Sequence, residues 1–140
     1  MKVPRRVVTG LDTNGRSAVL IDDPSQTVIW STRALPADNG GSVDTGSAKF
    51  DFPVKGIRFS FHDFAPGTQP YMHATDTIDY VVVVSGEIGF VTETSQVRLY
   101  TGDTLVNRGV MHGWHNDGRE TCRIITVVCQ ADPIGKGATI

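Results

Sequence analysis

Residues 67–86 read GTQPYMHATDTIDYVVVVSG, and their period is two. His73, Thr75, Thr77, Asp79, Val81 and Val83 share one parity, so an extended chain places them on one face. That face begins polar and ends apolar, and Gly86 closes it as a turn. Residues 102–116, GDTLVNRGVMHGWHN, answer the first stretch. Here His112, Trp114 and Asn116 share a parity. Two strands that each begin their inward face with an imidazole, one adding a carboxylate, predict a metal site inside a small β-barrel.

The rest of the chain agrees with a barrel. Residues 5–9, 17–21, 27–32 and 56–64 are β-branched or aromatic and carry no helical period. The DTNG run at 12–15 is a hairpin turn of the Asn-Gly kind. Further strands are expected over 86–94, 96–100, 104–106, 112–116 and 122–129. About ten strands with turns between them predict an all-β sandwich or barrel. In residues 56–64, Phe59 and Phe61 are placed on the face that walls the interior. His62, on the other parity, is read as structural or exposed. His115 falls on the parity opposite His112, and Tyr80 on the one opposite Asp79. Residues 34–49 form a long Gly- and Ser-rich loop, read as a surface excursion or as a lid near the cavity mouth. The tail after Ala131 is expected to be poorly tied down.

Composition bounds the function. The 140 residues suffice for one domain with one core. A net charge of −2, with no basic run, gives no footprint for nucleic acid. No apolar run reaches membrane-spanning length. The N-terminus lacks the apolar stretch of a signal peptide, so a cytoplasmic location is expected. Cys122 and Cys129 lie about 23 Å apart along one strand, beyond disulfide reach, and are read as free thiols.

The two quoted stretches resemble the two motifs of the cupin superfamily. The first motif is G(X)5HXH(X)3–4E(X)6G. Gly67, His73, Thr75, Asp79 and Gly86 fall at every one of its spacings, with Thr75 at the second histidine and Asp79 at the glutamate. The second is G(X)5PXG(X)2H(X)3N. Gly102, Asn107, Gly109, His112 and Asn116 follow it, with Asn107 at the proline and the first gap one residue short. The resemblance implies a single-domain double-stranded β-helix, or jelly-roll barrel, with residues 56–131 as its core. Residues 1–32 then supply extra strands, expected to serve as the arm of a homodimer.

From the resemblance, His73, Asp79 and His112 are the candidate metal ligands and catalytic residues. They would hold one divalent transition metal per chain: Fe, Zn, Mn or Ni. Without a metal, the same three residues would form a polar cluster able to act in acid–base catalysis. Thr75, Trp114, Arg58 and Arg108 are the candidate substrate contacts, the arginines as carboxylate anchors. The expected function is a metal-dependent enzyme acting on a small organic acid, enol or phenol. Lyase, decarboxylase or dehydratase chemistry is preferred. A non-haem dioxygenase and a non-enzymatic binding module are the alternatives.

Overall fold

The computed structural model describes residues 1–41, 43–135 and 137–140. Ser42, within the expected 34–49 loop, and Lys136, within the tail, lie outside the described residues. Ten strands run in order: β1 (Arg5–Leu11), β2 (Ser17–Pro24), β3 (Val28–Thr32), β4 (Ile57–Phe64), β5 (Thr77–Ser85), β6 (Glu87–Thr92), β7 (Gln96–Tyr100), β8 (Thr104–Asn107), β9 (His112–His115) and β10 (Cys122–Gln130). All pairings between them are antiparallel. A five-stranded sheet has the order β3-β4-β10-β5-β8, and a three-stranded sheet the order β7-β6-β9. No helix is present among the described residues. The two sheets form the double-stranded β-helix expected from the sequence.

Register explains which side chains meet. Across the larger sheet, Ser60 of β4 stands opposite Thr126 of β10, Thr126 opposite Val81 of β5, and Val81 opposite Leu105 of β8. One row further, His62, Ile124 and Val83 align. These rows face the smaller sheet. Val81, Val83 and Ile124 pack with Ile88 and Cys122 as the core, and Phe64, Leu99, Leu105 and Trp114 close around it. Burial pushes the Cys122 thiol up to about 11, so it is an apolar packing group rather than a nucleophile. Both cysteines are free.

The row on the other side of Ser60, Thr126 and Val81 faces outward. Trp30, Phe59, Val127, Tyr80 and Val106 follow one another across all five strands. Phe59 is 41% exposed, Tyr80 48% and Val106 55%. The expectation that Phe59 and Phe61 wall the interior is therefore corrected: β4 shares its inward parity with Ile124 and Thr126 of β10, and that parity belongs to Ser60, His62 and Phe64.

The N-terminal unit is shorter than expected. β3 pairs with β4 and belongs to the barrel, leaving β1 and β2 as a separate hairpin. Arg6 fastens this hairpin. Its guanidinium is buried and binds Asp23 at 2.9 Å and Asp44 at 2.8 Å, with a further bond to the Ile29 carbonyl. Asp44 thereby anchors the second half of the long loop. Ser47 adds a bridge to Val28, and the Thr45 hydroxyl accepts from the Ser31 amide. The tail also folds back, since the Ile140 amide donates to the Ala74 carbonyl at 3.0 Å.

Candidate active site

The expected inward strand starting at His73 is two pieces. Residues 67–73 run along the free edge of β9, and β5 begins only at Thr77. The join lies at Ala74–Asp76, where the Thr75 amide donates to the Gly109 carbonyl. Parity survives the break, so His73, Thr75, Asp79 and Val81 all line one cavity.

His73 and His112 are opposite partners in an antiparallel bridge and exchange both backbone hydrogen bonds at 2.9 Å. Such pairing brings side chains together, and the ring centroids are 4.3 Å apart. His73 Nδ1 lies 2.8 Å from the Tyr71 carbonyl, and His112 Nδ1 lies 2.6 Å from the Val110 carbonyl. A carbonyl only accepts, so both Nδ1 atoms carry a proton, and in the neutral rings both Nε2 atoms carry a lone pair. Tyr71 stacks on His73 and Phe90 on His112, fixing the rings further. Burial pushes the His112 pKa below the ordinary histidine value, keeping the ring neutral; nearby His73 adds to this, and the Val110 bond and Asp79 oppose it.

Asp79 belongs to a different network. Thr77 Oγ1 donates to its Oδ1 at 2.7 Å, and Asn107 Nδ2 donates to its Oδ2 at 3.0 Å. Asn107 Nδ2 also lies 3.4 Å and 3.3 Å from the two nitrogens of His112. A donor so nearly equidistant from both sits over the ring face, not along a lone pair. Asp79 is thus one amide removed from His112. Among the described residues, no group of three His, Cys, Asp or Glu side chains stands close enough to hold a metal. The donor set offers two imidazole Nε2 atoms and no assembled third ligand. The expected His73–Asp79–His112 metal set does not fit this arrangement.

The cavity measures about 180 Å³. Phe50, Phe52, Phe64 and Trp114 supply its aromatic wall, and Ile124 and Val128 its aliphatic floor. Phe50 and Phe52 come directly after the long loop, so the part of this stretch that lines the cavity lies just beyond residues 34–49. The sequence reading missed them because no motif marks them. It also placed His62 away from the site, whereas His62 lines the cavity, with Phe50 edge-on at 5.2 Å. His62 Nε2 lies 3.1 Å from Ser60 Oγ, which lies 2.7 Å from Thr126 Oγ1. Burial lowers the His62 pKa, against the opposing effect of Asp63.

Two other expected contacts stand elsewhere. Arg58 starts on the inward parity, but its guanidinium packs over Phe50 at 5.3 Å and donates to the Asp51 carbonyl. Arg108 is exposed. Neither lines the cavity. His115 lies outside it too, against Gly89 and beside the Gln96 amide.

The family model of the cupin domain matches residues 60–128, which hold the whole site but Phe50 and Phe52. Phomopsin biosynthesis cluster protein C' of Diaporthe leptostromiformis is 31% identical, across 96% of this chain and 82% of its own. The chain belongs to the cupin family. This cupin is also similar to the cupin-domain-containing oxidoreductase srdB of Neurospora crassa, 30% identical over 86% of this chain and 69% of that one. A solved Klebsiella pneumoniae protein with a double-stranded β-helix domain superposes on the cupin with a TM-score of 0.50 and 23% identity, covering 56% of this chain and 71% of that one.

Proposed function

We propose that this cupin is an enzyme that moves protons on a small, largely apolar organic molecule, with His73 and His112 as the proton carriers. The His73–His112 pair carries the reading. Two adjacent imidazoles, each locked with Nδ1–H on a carbonyl, present two basic Nε2 atoms to one ligand. His112 Nε2 accepts a proton from an acidic C–H or O–H. The pair then returns it to another atom, which gives an isomerisation, or to a departing hydroxyl, which gives loss of water. Apolar and aromatic walls around the pair lower the local dielectric, which strengthens these polar contacts. Among the lyase chemistries, dehydration suits this cavity better than decarboxylation, because Arg58 and Arg108 are not placed to hold a carboxylate. The names of the relatives support a biosynthetic role. The test is wash-out of carbon-bound protons from small aryl ketones in D2O, followed by proton NMR. Exchange should be fast with the wild type and slow with His112→Asn. Equal rates for both would remove the proposal.

The name of srdB favours a second reading, an oxidoreductase. Turnover that stops in the absence of O2 would select it.

A further inference from the structure

His62 is an imidazole of the cavity wall that the proton-carrying pair does not use. It stands on β4 of the five-stranded sheet, whereas His112 stands on β9 of the three-stranded sheet and His73 is bridged to His112. All three rings line one cavity of about 180 Å³. An apolar cavity of about 150 Å³ holds benzene, so one substituted ring fills this space and meets both sheets.

Among the described residues, the larger sheet contributes three polar side chains to the wall: His62, Asp79 and Thr126. Asp79 already accepts from Thr77 and Asn107. Thr126 Oγ1 lies 2.7 Å from Ser60 Oγ, which lies 3.1 Å from His62 Nε2. Ser60 is fully buried, so Nε2 is held by the protein and not by water. His62 Nδ1 makes no hydrogen bond among the described residues, and it is not enclosed as Asn107 Oδ1 is. It is the atom this ring has left for a ligand. Either hydroxyl of the Ser60–Thr126 pair can be the donor. When the chain runs from Thr126 through Ser60 to Nε2, the neutral ring carries its proton on Nδ1; run in reverse, Nδ1 carries a lone pair. His73 and His112 lack this freedom, because backbone carbonyls hold their Nδ1 protons.

We infer that His62 is a further catalytic residue, whose Nδ1–H binds a carbonyl oxygen of the substrate from the sheet opposite the imidazole pair. This rests on the proton-carrier reading above and adds a second role to the same site. His112 Nε2 takes a proton from the carbon beside that carbonyl. The C–H bond breaks, its electron pair forms the C=C bond, and the carbonyl π pair moves onto oxygen. His112 gains one positive charge and the oxygen one negative charge. The Nδ1–H of neutral His62 is already in place at that oxygen, which is where a fixed donor contributes most. His62 keeps its proton throughout, and return of the proton from the pair cancels both charges. Burial holds the His62 ring neutral, against the opposing effect of Asp63. Among the described residues, no lysine or arginine lines the cavity to take this role instead.

The experiment uses the full chain and two probes of similar shape, acetophenone and ethylbenzene, which lacks the oxygen. In calorimetric or NMR titration, His62→Phe should weaken acetophenone about three- to tenfold, the worth of one hydrogen bond, and leave ethylbenzene within about twofold. In D2O the same variant should lower kcat for exchange of the acetophenone methyl protons about 10²–10³-fold, with a much smaller change in KM. His62→Gln keeps an N–H donor and should lie between wild type and His62→Phe in both measurements. Acetophenone weakened no more than ethylbenzene overturns the inference. So does a His62→Phe exchange kcat within about threefold of wild type. If His62→Phe does not fold, the ring nitrogens of the wild type decide. Saturating acetophenone should move the His62 nitrogen signals in a long-range NMR spectrum while ethylbenzene leaves them in place, and signals unmoved by acetophenone overturn the inference. Failure of the proton-carrier reading is seen separately, as exchange that survives His112→Asn, and the binding ratio of the two probes then still decides the place of His62.

Discussion

His73 and His112 each give the Nδ1 proton to the backbone carbonyl two residues earlier in the chain, Tyr71 and Val110 respectively. The same local loop is used twice, on two segments joined by a reciprocal pair of backbone bonds. Each ring is therefore held in one tautomer by its own segment, and the pairing only has to bring the rings together. Replacing either ring by alanine should leave the barrel folded and lower kcat by about 10²–10⁴, the usual worth of a positioned acid or base. Steady-state kinetics beside far-UV circular dichroism checks this. Activity within a few-fold of wild type for both variants would exclude the pair.

Stability should fall on the acid side. His62 and His112 both have pKa values lowered chiefly by burial. Below about pH 6.5 the unfolded chain therefore binds more protons at these positions than the folded one. Their contribution is complete above that pH and is lost as pH falls through the lower, folded-state values. The thermal midpoint should decline from pH 7 to pH 5, and His62→Gln should flatten the decline. A midpoint that rises on acidification would contradict both assignments.

Metal affinity should depend on residue 75. The wild type supplies two imidazoles without an assembled third ligand, so Zn or Ni should be removed by dialysis against a chelator without unfolding. Thr75→His adds an imidazole on the same inward face and should raise the affinity, read by metal analysis after dialysis. Stoichiometric metal in the dialysed wild type, lost in Asp79→Ala, would show that the carboxylate joins the two rings.

Gly109 has φ +75°, and a Cβ there would strike the carbonyls of Thr75 and Thr77. Gly109→Ala should cost about 1–3 kcal/mol, the left-handed backbone and the contact combined. It should also displace Thr75, so kcat/KM should drop with stability. A drop in melting temperature alone, with kcat/KM kept, would separate Gly109 from the site.

The outward row of Trp30, Phe59, Val127, Tyr80 and Val106, together with the Arg5–Pro24 hairpin, is where a second copy is expected to dock. Removal of residues 1–26 should halve the particle mass in light scattering or cause precipitation. An unchanged mass would dismiss the hairpin as a dimer arm.

Much of this was legible in the sequence because period-two alternation survives folding. The parity that groups Thr75, Asp79 and Val81 needs only a strand, and the spacing of His73 and His112 marks the motifs. The faces of β4 were not legible. Residues 57–64 alternate apolar and polar groups on both parities, and the choice is made by β10, some 60 residues later, whose Ile124 and Thr126 face inward. The place of Asp79 was equally hidden. Its partner Asn107 stands where the family motif has proline, which has no side-chain donor. Phe50 and Phe52 reach the mouth through a loop whose course is set by Arg6 and Asp44, 38 positions apart.

The bridge between residues 67–73 and β9 has a kinetic meaning. Among the described residues, two isolated bridges, at Thr68–Asn116 and His73–His112, join the backbone of this segment to the sheet edge. Short edge segments with few ladder bonds open at lower free energy than central strands. The two rings belong to opposite sides of that seam, so each local opening pulls them apart while β4, β10 and β5 remain paired. On warming, activity should be lost reversibly several degrees before the barrel melts, and amide exchange at residues 67–73 should track the loss.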